Sequence, residues 1–297
     1  MGGGDRVRRS WVACLIVGVL VAAGAGVAAA NPGGASNSPY VALGDSYTAS
    51  PLTGTSAGPP PGCFRSVNNY PHLTAAALGA NLTDASCSGA TTKEFSAAQQ
   101  TDAGTNPAQY SALAKDTKLV TVGIGGNDIG FSDIVKSCLS ATPFGSPCKD
   151  RYTKGGTDQL RQRIDALAGK YASVLKEVHR RSPDARVALV GYPSVLPATG
   201  PGCFPAVPIS PGDIAYLRGI LADLNTRIQR SADAGDATFV DTYTSTVGHD
   251  ICQVPGTKWI EGLIPTAPAA PVHPNAQGSA ALSRAVVATL GGSAAAS

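Results

Sequence analysis

Short apolar runs bounded by turn residues recur along the chain at 40–44, 81–85, 119–123, 186–191 and 238–241. Each has the length and the aliphatic or β-branched content of a buried strand. Between them, apolar positions recur with helical spacing over 69–78, 107–115, 156–181, 211–234 and 275–290. Strands alternating with helices in this way call for a parallel sheet covered on both faces, so the pattern predicts an α/β fold, a three-layer α/β/α sandwich in one domain. Stretches rich in Pro and Gly at 51–68, 139–155, 194–210 and 248–272 interrupt that core. They are longer than ordinary connections, which marks them as walls of a functional cleft. There is no repeat or coiled coil, and no low-complexity tract beyond the small-residue tail at 291–297.

The first thirty residues break the pattern. They carry Arg6, Arg8 and Arg9, an apolar stretch from Trp11 to about Val27, and Ala28-Ala29-Ala30. This is the layout of a signal peptide, with a retained anchor as the alternative because the stretch approaches spanning length. The pair Arg8-Arg9 leaves the twin-arginine route open. The expected division is a signal peptide at 1–30 and a single domain at 31–297, giving an exported protein without stable membrane insertion once the signal is removed. Removal takes three arginines and one aspartate from the chain's 23 basic and 20 acidic side chains, so the mature protein is nearly neutral. No basic run alternates with aromatics, which speaks against nucleic acid as a partner. Nothing calls for a second subunit, and a monomer is expected.

Of seven cysteines, Cys14 leaves with the signal peptide and six remain. An even number in an exported chain points to disulfides. Sequential pairing, Cys63–Cys87, Cys138–Cys148 and Cys203–Cys252, is the simplest choice because each bridge closes a Gly/Pro-rich excursion. A zinc site is the rival reading, but there is no C-x-x-C pair and no nearby pair of histidines, so no metal is expected.

Four segments carry candidate chemistry. Ser46 ends the run Tyr40-Val41-Ala42-Leu43-Gly44-Asp45-Ser46, which delivers a hydroxyl to the carboxyl end of a strand, where ligands of open α/β sheets collect. A helix N-cap is the bland alternative for that serine. Gly89, in Ser88-Gly89-Ala90-Thr91, can present its N–H unobstructed, or be a plain turn glycine. Asn127 follows Gly125-Gly126 and could aim an amide into the same cleft, whereas Asp128 reads as a helix N-cap. These glycines are not a phosphate cradle, since the P-loop lysine is absent and the dinucleotide spacing fails. His273 sits in Pro271-Val272-His273-Pro274, a rigid turn before the last helix. His249, beside Asp250, competes with it as a base, and His72 and His179 are expected to be solvated.

Together, and in this order, Gly44-Asp45-Ser46, Gly89, Gly125-Gly126-Asn127-Asp128 and His273-Pro274 resemble the blocks of the SGNH, or GDSL-type, hydrolases. The likeness is greatest to the secreted actinomycete lipase and esterase branch. The resemblance implies a five-stranded, flavodoxin-like sheet of order 2-1-3-4-5. It also implies Ser46 as nucleophile, His273 as base, and an oxyanion hole made by the N–H groups of Ser46 and Gly89 with the Asn127 side chain. The chemistry needs such residues: a neutral serine requires an imidazole to take its proton, and the developing oxyanion requires fixed donors.

One position departs from the family pattern. Many members carry Asp three residues before the histidine, where this chain has Ala270. The expectation is therefore a Ser46–His273 dyad oriented by the carbonyl of Ala270 or a neighbour, with Asp241 as the less favoured substitute. Asp45 is assigned to holding loop N–H groups. The resulting reading is a secreted serine ester hydrolase, a lipase or carboxylesterase working through an acyl-enzyme without cofactor. The apolar loops at 51–61, 194–208 and 263–272 are the expected acyl pocket, and little interfacial activation is expected. Phospholipase or acetyl-polysaccharide esterase activity at the same site, or a binding module that has lost turnover, are the alternatives.

Overall fold

Strand β1 (Pro39–Gly44) lies between β2 (Asn81–Asp84) on one side and β5 (Leu119–Gly123) on the other. This is a computed structural model, which describes residues 1–2 and 37–291. The expected export signal at 1–30 lies almost wholly outside the described residues, and so does the tail from 292. The described residues 37–291 form one compact unit.

Beyond β5 come β6 (Arg186–Val190) and β7 (Thr238–Val240), giving the order β2-β1-β5-β6-β7 with every pair parallel. Counting only these five strands, the order is 2-1-3-4-5. A short antiparallel hairpin, β3 (Gln99–Thr101) with β4 (Gly104–Asn106), stands apart from the sheet.

The period of two along the strands splits the core. Val41, Leu43, Val120, Val122, Val187 and Leu189 face one apolar cluster, with α5 (Gln159–Arg181) and α6 (Pro211–Ala234). Tyr40, Ala42, Leu119, Ala188 and Val190 face the other, with α2 (Tyr70–Leu78) and α7 (Ala276–Gly291). Three layers result. Helix α5 shows why the pattern was legible: Leu160, Ile164, Leu167, Tyr171, Val174, Leu175 and Val178 are buried at three- and four-residue spacing. Fully burying an aliphatic side chain of this kind contributes about 1.5–3 kcal/mol before chain entropy is counted against it. Asp158 caps this helix by accepting from the N–H groups of Leu160 and Arg161.

Some local expectations give way. The helix expected over 107–115 is a single 3₁₀ turn at Gln109–Ala112. The buried Gln109 side chain there accepts from Gly44 N–H at 2.7 Å and donates to Gly44 C=O at 2.9 Å, extending the end of β1 as a neighbouring strand would. The stretch 139–155 contains α4 (Pro147–Tyr152). Short helices α1 (Ser46–Ala49) and α3 (Phe131–Ser137) follow β1 and β5.

Disulfides join Cys63 to Cys87, Cys138 to Cys148 and Cys203 to Cys252. The last fastens the loop at 194–210 to the one at 248–272, and the first fastens the loop at 51–68 to the segment leading into Gly89. Because β1 is flanked by connections that run to opposite faces, a crevice opens beyond its carboxyl end. Ser46 lies there.

Candidate active site

The register of the sheet sets the site. Gly44 pairs with Gly123 at the ends of β1 and β5, and Asp45 N–H continues the ladder to Gly123 C=O at 3.0 Å. Only glycine fits at 44, since a Cβ there would lie 2.1 Å from Thr48 Oγ1 and 2.6 Å from Gly123 O. The chain then turns into α1, whose N-cap is Asp45, not Ser46: the Asp45 carboxylate accepts from Tyr47 N–H at 2.9 Å. Ser46 is thus released from capping, and its hydroxyl faces the loop before α7.

From that loop His273 brings Nε2 to 2.7 Å from Ser46 Oγ. Its other nitrogen, Nδ1, lies 2.7 Å from Pro271 C=O. A carbonyl can only accept, so Nδ1 carries the proton and the Nε2 lone pair faces the hydroxyl. Desolvation lowers the imidazole pKa from its ordinary 6.5, partly offset by the bond to Pro271, so the ring is neutral at pH 7. Ala270 C=O, the first expectation for this task, is taken instead by His273 N–H at 3.2 Å. The turn brings Pro271 C=O round to the ring.

The loop itself is clamped from behind. Glu261 N–H donates to His273 C=O at 3.0 Å. The Asn275 side-chain amide donates to the buried Glu261 carboxylate at 2.8 Å and to Lys258 C=O at 2.9 Å, while its oxygen accepts from Gln277 and Gly278 N–H at the start of α7.

Gly89 and Asn127 meet on the other side. Cys87 N–H donates to Gly44 C=O at 3.0 Å, which sets the Gly89 turn beside the Ser46 turn. Gly89 adopts φ +81°, a left-handed conformation suited to glycine. Asn127 Nδ2 donates to Ala90 C=O at 2.9 Å, so its amide is held against the same turn. Among the described residues, the N–H groups of Ser46 and Gly89 find no backbone carbonyl to donate to. Asp128 does not cap α3, whose N-cap is Gly130. It accepts instead from Thr92 N–H and Oγ1 and from Lys170 Nζ, at 2.7–2.9 Å, and so ties the Gly89 and Asn127 segments together.

Comparison with known proteins identifies the family. The GDSL-like lipase/acylhydrolase family matches residues 42–281. The chain belongs to that family. It is a carboxylic ester hydrolase. Lipase 2 of Streptomyces coelicolor is 43% identical over 252 residues, covering 80% of this chain and 81% of the relative. Two solved structures, phospholipase A1 of Streptomyces albidoflavus NA297 and the extracellular lipase of Streptomyces rimosus, superpose with TM-scores of 0.69. Each is 28% identical and covers 85% of this chain and 99% of the other.

The acylhydrolase has an almost wholly apolar cavity of about 90 Å³ that neither Ser46 nor His273 lines, but that reaches the site through Val272, next to His273, and Phe131, whose ring centroid lies 6.3 Å from that of His273. Ile129 and Phe131 beyond Asn127, Val195, Leu196, Val207 and Ile209 from one bridged loop, Ile251, Leu263 and Val272 from the other, and Leu217, Ile220 and Leu224 of α6 line it. The loop at 51–61, expected to contribute, lines none of it, because its bridge draws it to the Gly89 side. A larger open groove of about 620 Å³ runs past Thr92, Lys93, Asp128, Lys170 and Glu177. It includes neither Ser46 nor His273, and its carboxylates are already paired with Lys170, Arg180 and Arg181.

The remaining candidates lie elsewhere. His249 stacks on Trp259 at 3.4 Å between ring centroids, with Nδ1 2.6 Å from Thr257 C=O. His72 and His179 are half-buried and bonded to Asn69 and Gly235, not solvated as expected. Asp241 caps its own turn through Tyr243 and Thr244 N–H.

Sequence reasoning passed over Tyr47 and Tyr192. The Tyr192 hydroxyl donates to Asp45 Oδ2 at 2.5 Å and accepts from Gly126 N–H at 2.7 Å, linking the Ser46 turn to the Asn127 loop. Desolvation pushes the buried Asp45 carboxyl up from 3.8 to about 7, against the pull of its bonds from Tyr192 and Tyr47.

Proposed function

We propose that this acylhydrolase is an exported lipase or carboxylesterase that cleaves acyl esters through an acyl-enzyme, with Ser46 and His273 as a catalytic dyad. The observation that carries the reading is the 2.7 Å approach of Nε2 to Oγ, with Nδ1 fixed by a backbone carbonyl. Nε2 takes the Ser46 proton as Oγ bonds to the ester carbonyl carbon, and the carbonyl π electrons move onto oxygen. Donors from Ser46 N–H, Gly89 N–H and the Asn127 amide stabilise that charge. When the C–O bond to the alcohol breaks, the imidazolium returns the proton to the leaving oxygen, and water repeats the steps to release the acid.

In this reading the apolar cavity lined by Phe131, Leu196 and Leu263 takes the acyl chain. Its polar-free lining favours hydrocarbon over sugar, which supports lipase or esterase action above acetyl-polysaccharide esterase action. The likeness to a phospholipase A1 keeps phospholipids as a second reading of the same site. Export rests on the composition of residues 1–30, the paired cysteines and the similarity to an extracellular lipase. Among the described residues no helix is long and apolar enough to cross a membrane.

Rates on p-nitrophenyl esters of increasing chain length, with a diacyl phospholipid in parallel, test the assignment. The expected result is a preference for chains longer than acetyl that vanishes in Ser46→Ala. Equal activity on acetyl and longer esters contradicts the pocket assignment, and activity retained in Ser46→Ala contradicts the nucleophile.

A further inference from the structure

Val272, immediately before His273, adopts φ +61°. For a β-branched residue this left-handed conformation is strained, and it persists only where neighbours hold it. Two hydrogen bonds do so. Val272 N–H donates to Gly262 C=O at 3.3 Å, a long contact, and Val272 C=O accepts from the Tyr47 hydroxyl at 2.7 Å.

That carbonyl belongs to the peptide plane from which His273 departs, so its direction sets where the imidazole points. Tyr47 is itself fixed. Its buried ring lies edge-on to Phe131 and Tyr192, with centroids 5.7 and 5.1 Å away, and against the His273 ring at 4.9 Å. Because Tyr47 follows Ser46 directly, the turn that presents the hydroxyl to be deprotonated also holds the peptide that presents the base.

We infer that Tyr47 is a positioning residue for the reaction, its hydroxyl holding Val272 in the strained conformation that brings His273 Nε2 onto Ser46. This rests on the reading of Ser46 and His273 as the catalytic pair. Without the hydroxyl, Val272 relaxes toward negative φ, the peptide plane swings, and the imidazole loses its line to Oγ. Glycine at 272 carries no such bias, because positive φ costs it nothing.

The test compares Tyr47→Phe, Val272→Gly and the double variant in steady-state hydrolysis of a soluble p-nitrophenyl ester, with folding checked by circular dichroism. Tyr47→Phe keeps the ring and is expected to lower kcat about 10- to 100-fold, as misplacement of a catalytic group by about 1 Å does. KM is expected to change less than about twofold. Adding Val272→Gly is expected to recover about tenfold of that loss, a rescue that a merely structural hydroxyl does not give. The inference is overturned if Tyr47→Phe keeps kcat within about twofold of the parent, or if the double variant is no faster than Tyr47→Phe. Ser46→Ala serves as control: if it stays active, the catalytic pair is wrong, whereas an inactive Ser46→Ala beside a fully active Tyr47→Phe removes this inference alone.

Discussion

Replacing Asp45 with asparagine is expected to change how stability depends on pH. The carboxyl group is buried, accepts from the Tyr192 hydroxyl and Tyr47 N–H, and is pushed up from 3.8 to about 7 by desolvation. Below pH 3.8 it is protonated in both folded and unfolded chains, so its ionisation costs the fold nothing. Between 3.8 and about 7 the unfolded chain releases its proton while the folded one retains it, and stability falls across that window. Above it the carboxyl is ionised in both states and the loss is complete. At 1.36 kcal/mol for each tenfold change in affinity for the proton, the gap is worth about 4 kcal/mol. Asparagine does not titrate, so the difference in unfolding free energy between parent and Asp45→Asn should drift by that order between pH 4 and pH 8, against the parent at the higher pH. Urea titrations at pH steps through this range measure it. The offset between the two proteins at any one pH also contains the altered bond to Tyr192, so the slope is the diagnostic quantity. A difference curve flat to about 0.5 kcal/mol refutes the argument that burial dominates at this carboxyl.

Other expectations follow from the same contacts. The acid limb of kcat/KM should have its midpoint below 6.5, because desolvation lowers the His273 pKa and only the neutral ring accepts the serine proton; a midpoint above 6.5 contradicts this. Asn275→Ala removes the α7 cap and leaves the buried Glu261 short of a donor, a destabilisation of about 2–4 kcal/mol readable by urea denaturation. Tyr192→Phe takes the acceptor from Gly126 N–H and the hydroxyl from Asp45. It should cost about 2–3 kcal/mol in stability and slow turnover through the Asn127 loop, whereas unchanged stability would show that water replaces the hydroxyl.

The parallel strands, the long helices and the resemblance through Ser46, Gly89, Asn127 and His273 were legible because period and short motifs are local properties of a sequence. What escaped has its partner far along the chain. Tyr47 meets Val272, Tyr192 meets Asp45 and Gly126, and Gln109 meets Gly44, each through a backbone or buried group that no local pattern announces. Gln109 also explains the mistaken helix at 107–115, since its side chain is bonded to the end of β1 in a single turn. Asp128 was misread for the complementary reason. Its place before a helix is typical of a cap, but its bonds run sideways to Thr92 and Lys170. The group facing His273 Nδ1 was expected to be the carbonyl of Ala270 or a neighbour; Pro271 C=O stands there, a choice that depended on how the turn closes. Of the three loops expected to line an acyl pocket, 51–61 lines none of the apolar cavity, because composition could not tell which side of the cleft a Pro-rich loop would face.

The most direct test of the account is the site and rate of reaction with a fluorophosphonate, followed by mass spectrometry of the digested protein. The account predicts a single adduct on Ser46, and labelling slowed at least about a thousandfold in His273→Ala, as expected when a triad-type base is removed. An adduct on another residue, or a His273→Ala protein labelled at the parent rate, would contradict it.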